Sequence, residues 1–223
     1  MASAPRLHVG ARSVTLDALQ VKACNLYSKL SLAETPTLFV EFHGTPASVG
    51  EQSERFGAIA RECAGGEFAW ATKPEERTRL WQARHDVYWA ASALRPGSRA
   101  MATDVCVPIS RLAECVTETA EDIARSALVA PIVGHVGDGN FHVTMMVDME
   151  DDAEVERAEA FVGRLNMRAI AMEGTCTGEH GVGQGKMKYM AVEHGRGVDV
   201  MRAIKRAIDP NNIMNPGKIV AAI

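Results

Sequence analysis

His135 and His142 close the two ends of the run His-Val-Gly-Asp-Gly-Asn-Phe-His, and Glu179 and His180 are neighbours in a later glycine-rich stretch, Gly178-Glu-His-Gly181. Two neutral imidazoles and one carboxylate are a ligand set that Zn²⁺ or Mn²⁺ accepts while keeping positions open for substrate. The local pattern also offers a way for the histidines to meet. Asp138-Gly139 is a favoured central pair for a two-residue hairpin turn. A hairpin centred there pairs 137 with 140, 136 with 141 and 135 with 142, and directly opposed residues share a face with Cβ atoms about 5 Å apart. The plain alternative is that each histidine is a satisfied hairpin residue. Two on one face, with Glu179 and a third imidazole downstream, favour the metal: His135, His142 and Glu179 as ligands.

His180 is open to two roles. It is a fourth ligand, or the base that takes a proton from a hydroxyl held by the metal, a task suited to the ordinary pKa of imidazole. Loop packing is its bland alternative. Arg84 shares a helical stripe with Trp81 and Tyr88 and can grip a carboxylate with two parallel hydrogen bonds. Alone, it is more simply a solvated or ion-paired arginine, and His85 beside it likewise. Asp138 suits a turn better than a ligand position. Lys186, Lys188, Lys205 and Arg206 read most simply as solvated helix faces, and Met187, Met190, Met201 and Met214 as core.

The elements that must position these residues follow from apolar periodicity and turn signals. The spacing predicts a helix over 14–30 on Leu16, Leu19, Ala23 and Leu26, a strand over 37–43, and a helix over 48–64 opened by a Ser48/Glu51 capping box. A short strand over 68–72 follows, then one long helix from 73 to Pro96 carrying Trp81, Arg84, His85 and Trp89. Next come a strand over 101–107, a helix over 109–127, the hairpin strands 130–136 and 141–147, and a helix from 151 or 152 to 172. A loop over 174–185 leads into helical segments at 186–193 and 198–208. This order predicts an α+β fold: a ferredoxin-like antiparallel sheet with helices on one face, plus a C-terminal helical segment. Residues 1–13 read as a tail, 14–172 as the sheet domain and 173–223 as the site loop and terminal helices. A helix met so early, with apolar residues needing a partner, reads either as the middle of something larger or as an ordinary N-terminal helix.

Composition sets limits. With 47% hydrophobic residues a sizeable core is available, and the net charge of −4, with no basic block, gives no nucleic-acid surface. No stretch has the apolar length of a membrane span. Five scattered cysteines, without a C-x-x-C pair, read as free thiols in a reducing compartment, so the cytoplasm is the default location. Neither a G-x-G-x-x-G nor a P-loop is present, so the chain shows no nucleotide-binding loop of its own.

Five segments occur in a telling order: Leu80-Trp-Gln-Ala-Arg-His85, Thr103-Asp-Val-Cys-Val-Pro108, Gly134-His-Val-Gly-Asp-Gly-Asn-Phe-His142, Gly174-Thr-Cys-Thr-Gly-Glu-His-Gly-Val-Gly183 and Ile213-Met-Asn-Pro-Gly-Lys218. Together they resemble the C-terminal half of FAD-linked oxidases of the vanillyl-alcohol-oxidase superfamily, in the branch that oxidises 2-hydroxy acids such as D-lactate and glycolate. The resemblance implies a ferredoxin-like cap domain that works with an N-terminal FAD-binding domain, or a separate flavin-binding chain, absent from this sequence. It implies His135, His142 and Glu179 as ligands of a divalent metal, His180 as the base, and Arg84 with Tyr88 as carboxylate contacts. Asn215 and Lys218 are implied to lie near the flavin. Ala102, where relatives that take dicarboxylates place a lysine, implies a monocarboxylate. The activity implied is oxidation of a D-2-hydroxy acid to a 2-keto acid with FAD as acceptor, and a quinone, cytochrome or electron-transfer flavoprotein downstream. A homodimer and a peripheral membrane association are compatible with it. Two other readings use the same ligands: a free-standing metal-dependent hydrolase, which needs a metal-held water and no flavin, and a non-catalytic metal-binding fragment.

Overall fold

The computed structural model describes residues 12–66, 68–71 and 73–220. In chain order its elements are β1 (Arg12–Leu16), α1 (Ala18–Ser28), β2 (Thr37–Glu41), α2 (Pro46–Glu62), α3 (Pro74–His85), α4 (Val87–Ala93), β3 (Arg99–Ala102), β4 (Val105–Cys106), α5 (Ile109–Ser126), β5 (Ile132–His135), β6 (Asn140–Val147) and α6 (Asp152–Ala171). A 3₁₀ turn at Met187–Tyr189, α7 (Met190–His194) and α8 (Gly197–Ile208) complete it.

The chain's first described element is a strand where a helix is expected. Val14 and Leu16 are buried while Ser13 and Thr15 are partly exposed. That alternation is a strand's, and Leu16 supports it as well as it supports the helical pattern. Asp17 ends the strand and caps α1, accepting from the Gln20 N–H at 2.7 Å. The face α1 buries is Gln20, Val21, Ala23 and Cys24, whereas Leu26 is exposed. Residues 12 and 13 thus belong to β1, and the rest of the expected tail lies outside the described residues.

The strands form one antiparallel sheet in the order β2-β1-β5-β6-β3, with β4 also paired to β6. The expected antiparallel sheet is therefore present, and its helices divide between the two faces instead of gathering on one. Successive strand residues point to opposite faces. Ile132 packs with Phe141, Val143, Met145 and Val147 against Leu112 and Cys115 of α5 and Phe161 and Leu165 of α6. Val133 packs on the other side with Val14 and Leu16 against Val21 of α1 and Val87 and Ala90 of α4. All eight residues of β6 are buried, and each large apolar side chain so buried stabilises by roughly 1.5–3 kcal/mol. The strand that carries His142 is thereby anchored by apolar packing.

Two further departures affect the site. The expected long helix is broken at Asp86, whose backbone (φ −85°, ψ 3°) leaves helical geometry and starts α4 afresh. The helix over 46–62 is capped by Thr45, whose side chain accepts from the Ser48 N–H at 3.3 Å with Pro46 in the first turn, and not by Ser48. Residues 68–71 form no strand. Phe68 instead lies against Phe56 and Trp70, at centroid distances of 5.5 and 4.4 Å. No helix among the described residues is long and apolar enough to cross a membrane.

Candidate metal and substrate site

The β5–β6 hairpin pairs His135 with Asn140, Gly134 with Phe141 and Val133 with His142. The register is two residues away from the one a two-residue Asp-Gly turn would give. The turn has four residues, 136–139, closed by the Asp138 N–H donating to the His135 carbonyl at 2.9 Å. A tight turn of the expected type needs positive φ at both central residues, and of the two only Gly139 has it, at +76°. Gly139 is also irreplaceable for space: a Cβ there would stand 2.0 Å from the Val107 carbonyl oxygen. A slip of two preserves the side-chain alternation. His135 and His142 therefore still share a face, diagonal instead of opposed, with ring centroids 6.0 Å apart.

Glu179 and His180 reach this face because the chain after α6 returns to the sheet edge. Thr175 bridges Cys106 of β4 by two backbone hydrogen bonds, of 2.7 and 3.2 Å. From there the loop passes over Asp104. A single Glu179 oxygen, Oε1, then lies 3.0 Å from His142 Nε2, 3.9 Å from His135 Nε2 and 3.8 Å from His180 Nε2. The His180 ring stacks on His142, with centroids 5.0 Å apart and planes 8° apart. The four residues expected to do the chemistry are brought together.

Asp104 organises this convergence, and the sequence reading passed over it. Its side chain is 1% exposed. It accepts from the backbone N–H groups of Glu179 and His180 (3.1 and 2.9 Å), from Asn140 Nδ2 (2.9 Å) and from Lys186 Nζ (3.2 Å). Lys186 also donates to the Asp104 carbonyl at 2.8 Å, so it is a partly buried partner and not a solvated helix charge. Burial alone would raise the Asp104 pKa. The His180 N–H, Asn140, Lys186 and the Glu179 N–H outweigh it and hold the carboxyl far below the usual carboxylate range. The loop fits because residue 178 is glycine: a Cβ there would meet Asn140 Nδ2 at 2.0 Å. An acid four residues before the proline that leads α5 gives no periodic signal; only its proximity in space to residue 179 reveals it.

Two triads have donor atoms within 4.8 Å of one another: His135, His142 and Glu179, and Asp104, His142 and His180. Their chemistry separates them. The Asp104 oxygens are already engaged by N–H donors, and His142 Nδ1 is directed at the Thr103 carbonyl at 3.0 Å. Nδ1 therefore carries the proton, and burial pushes the His142 pKa down, against the opposing pulls of the Thr103 carbonyl and Asp104. In neutral His142 the lone pair is on Nε2, and it faces the Glu179 oxygen at 3.0 Å. Two acceptors in that position repel unless a cation or a proton lies between them. An imidazole tied through one nitrogen to a backbone carbonyl, with the other nitrogen free, is the usual presentation of a histidine ligand. The residues of the first triad fit a divalent ion.

Arg84, at the end of α3, is half-buried and donates from Nη2 to His135 Nε2 at 3.0 Å. Tyr88 lies beyond the Asp86 break on α4, exposed, its ring edge-on to Trp89 at 5.4 Å. No hydrogen bond joins Tyr88 to the histidines among the described residues. Asn215 and Lys218 are exposed in the terminal turns, which are tied to the glycine-rich loop by the Ile219 N–H donating to the Gly183 carbonyl at 2.8 Å. Met190 is buried as expected of core, whereas Met214 is exposed. Two surface grooves, one of about 770 Å³ between α1 and α3 and one of about 500 Å³ beside α2, share no residue with the histidine cluster.

Residues 11–219 match the family of FAD linked oxidases, C-terminal domain, and the chain belongs to that family. Among curated relatives, it is 50% identical over 211 residues to the probable mitochondrial D-lactate dehydrogenase of Danio rerio, covering 94% of this chain and 42% of the relative. It is 43% identical over 206 residues to the mitochondrial D-lactate dehydrogenase [cytochrome] of Arabidopsis thaliana, covering 92% and 36%. With glycolate oxidase subunit GlcD of Bacillus subtilis it shares 34% over 198 residues, covering 87% and 42%. The chain thus spans about two-fifths of the length of these relatives. The fold is also that of 4-ethylphenol oxidase from Gulosibacter chungangensis, with a TM-score of 0.70 at 14% identity over 97% of this chain and 48% of that one.

Proposed function

We propose that this chain is the substrate- and metal-binding portion of a flavin-dependent D-2-hydroxy-acid dehydrogenase, taking a D-lactate-like monocarboxylate to the 2-keto acid together with a flavin-binding domain or chain. The observation that carries the reading is the Glu179 carboxylate oxygen set 3.0 Å from Nε2 of a carbonyl-tethered His142, with His135 and His180 around it. Nε2 of His135 and of His142 and the Glu179 carboxylate would hold a Zn²⁺ or Mn²⁺ ion. When bound, the ion supplies charge that acidifies the substrate hydroxyl, and the flavin supplies a two-electron acceptor that no side chain can.

The rest falls to the chain's own residues. Arg84 grips the substrate carboxylate by parallel hydrogen bonds. His180, half exposed and stacked on His142, takes the hydroxyl proton at its ring. Ala102 at the end of β3 offers no second cation, which suits a monocarboxylate. Asn215 and Lys218 face the flavin side, and Tyr88 is a secondary carboxylate contact. The final acceptor is a quinone, a cytochrome or an electron-transfer flavoprotein. Relatives with mitochondrial in their names support a mitochondrial setting over the cytoplasmic one.

The test is metal analysis of the flavin-containing protein beside its absorbance spectrum. One divalent ion per chain and a flavin band that bleaches on adding D-lactate or glycolate are expected. A flavin that no 2-hydroxy acid bleaches would overturn the reading, and turnover of an ester or amide without flavin would replace it with a hydrolase.

A further inference from the structure

The edge strand facing β6 is interrupted at Thr103 and Asp104, yet its register continues across the gap. Ala102 pairs with Thr144 on one side and Val105 with Phe141 on the other. Thr103 therefore stands opposite Val143, and in a regular antiparallel ladder such a pair exchanges both N–H···O=C bonds. Only one of them is present: the Thr103 N–H donates to the Val143 carbonyl at 2.9 Å. The return bond goes elsewhere, with the Val143 N–H donating to the Thr103 hydroxyl oxygen at 2.9 Å. The Thr103 carbonyl, relieved of its ladder partner, accepts from His142 Nδ1 at 3.0 Å. Thr103 is 5% exposed and His142 8%, so no water competes freely for these groups.

We infer that Thr103 is a positioning residue for the metal site: its hydroxyl replaces its own carbonyl in the sheet, and the carbonyl thereby fixes His142 in the tautomer that presents Nε2 to the ion. The inference rests on the metal reading above for its consequence, but the tautomer itself is a property of the metal-free protein. Thr103→Val removes the hydroxyl at nearly constant volume. The Val143 N–H then returns to the 103 carbonyl, and His142 Nδ1 loses a dedicated acceptor. Thr103→Ser retains the hydroxyl and the exchange.

The experiment uses the flavin-containing full-length protein, stripped of metal and labelled with ¹⁵N-histidine, with His142→Ala to assign the resonance. The parent and T103S are expected to show His142 protonated at Nδ1, and T103V a shift toward the Nε2-protonated form. Mn²⁺ titration is expected to show a loss of roughly 10- to 100-fold in affinity for T103V, the range for losing a partner behind a ligand, and less than about threefold for T103S. Should T103V not fold, Thr103→Ala carries the same expectation. A hydroxyl-free variant that keeps the parent tautomer overturns the inference. If His142→Ala leaves Mn²⁺ affinity unchanged, the metal reading has failed, and the tautomer alone decides the role of Thr103.

Discussion

Nη2 of Arg84 and Nε2 of His135 lie 3.0 Å apart, joining the last turn of α3 to the end of β5. A guanidinium only donates hydrogen bonds, so His135 accepts through the lone pair that a metal ion would need. An ion held as proposed would compete with Arg84 for that nitrogen and would free the guanidinium for a substrate carboxylate. Arg84→Ala is expected to tighten Mn²⁺ binding in the absence of substrate and to lower kcat/KM by about 10- to 100-fold, the equivalent of one or two charge-assisted hydrogen bonds. Metal titration beside steady-state kinetics checks both signs; weaker metal binding in the variant would make Arg84 a supporting residue of the ion instead.

Asp104 is expected to make stability depend on acid. Its pKa is depressed in the folded state, so its contribution is present above the unfolded value near 4 and is lost as pH falls through the range below it. Asp104→Asn takes the carboxylate from a partly buried Lys186 and two backbone N–H groups and is expected to cost on the order of 3 kcal/mol at pH 7. In urea unfolding from pH 7 to pH 2, the midpoint of the parent should fall toward that of the variant. Curves that stay parallel would show that this carboxyl does not drive the acid limb.

Gly178 and Gly139 are both needed for space, with different expected consequences. A methyl at 178 pushes an exposed loop off a buried carboxylate. Gly178→Ala is therefore expected to reduce kcat at least tenfold while shifting Tm by only a few degrees. A methyl at 139 meets the Val107 carbonyl from a backbone at φ +76°, inside a hairpin anchored by the fully buried β6. Gly139→Ala is expected to lose roughly 1–3 kcal/mol of stability, visible as a lower urea midpoint. Equal effects of the two on Tm would contradict the distinction.

On α8, Val200, Ile204 and Ile208 are 54–69% exposed at four-residue spacing, an apolar stripe with Ile213 and Met214 exposed beyond it. The domain on its own is expected to self-associate through this face, and Ile204→Glu to reduce that association in sedimentation.

Much of this was legible in the residues, and the failures have causes. The strands at 37–41, 132–135 and 140–147 and the helices over 109–126 and 152–171 follow from periodicity and caps. β1 was hidden because Leu16 satisfies both a period of two and a period of 3.6. The break at Asp86 carries no glycine or proline to announce it. The juxtaposition of His135 and His142 was read through a register that was wrong by two residues, and they still share a face because two is the period of a strand. Asp104, Thr103 and Lys186 were missed for one reason: their roles depend on partners 36 to 82 positions away, a relation that no local pattern encodes.

The four-residue turn after His135 also decides which histories of insertion and deletion this hairpin could tolerate. A slip of the pairing by two residues keeps both imidazoles on one face. A length change that slipped the pairing by one residue would exchange inside for outside along one arm, driving His142 into the apolar layer beneath α5 and α6 and lifting Phe141 into its place. Natural variation in length at this point is expected to come in even steps.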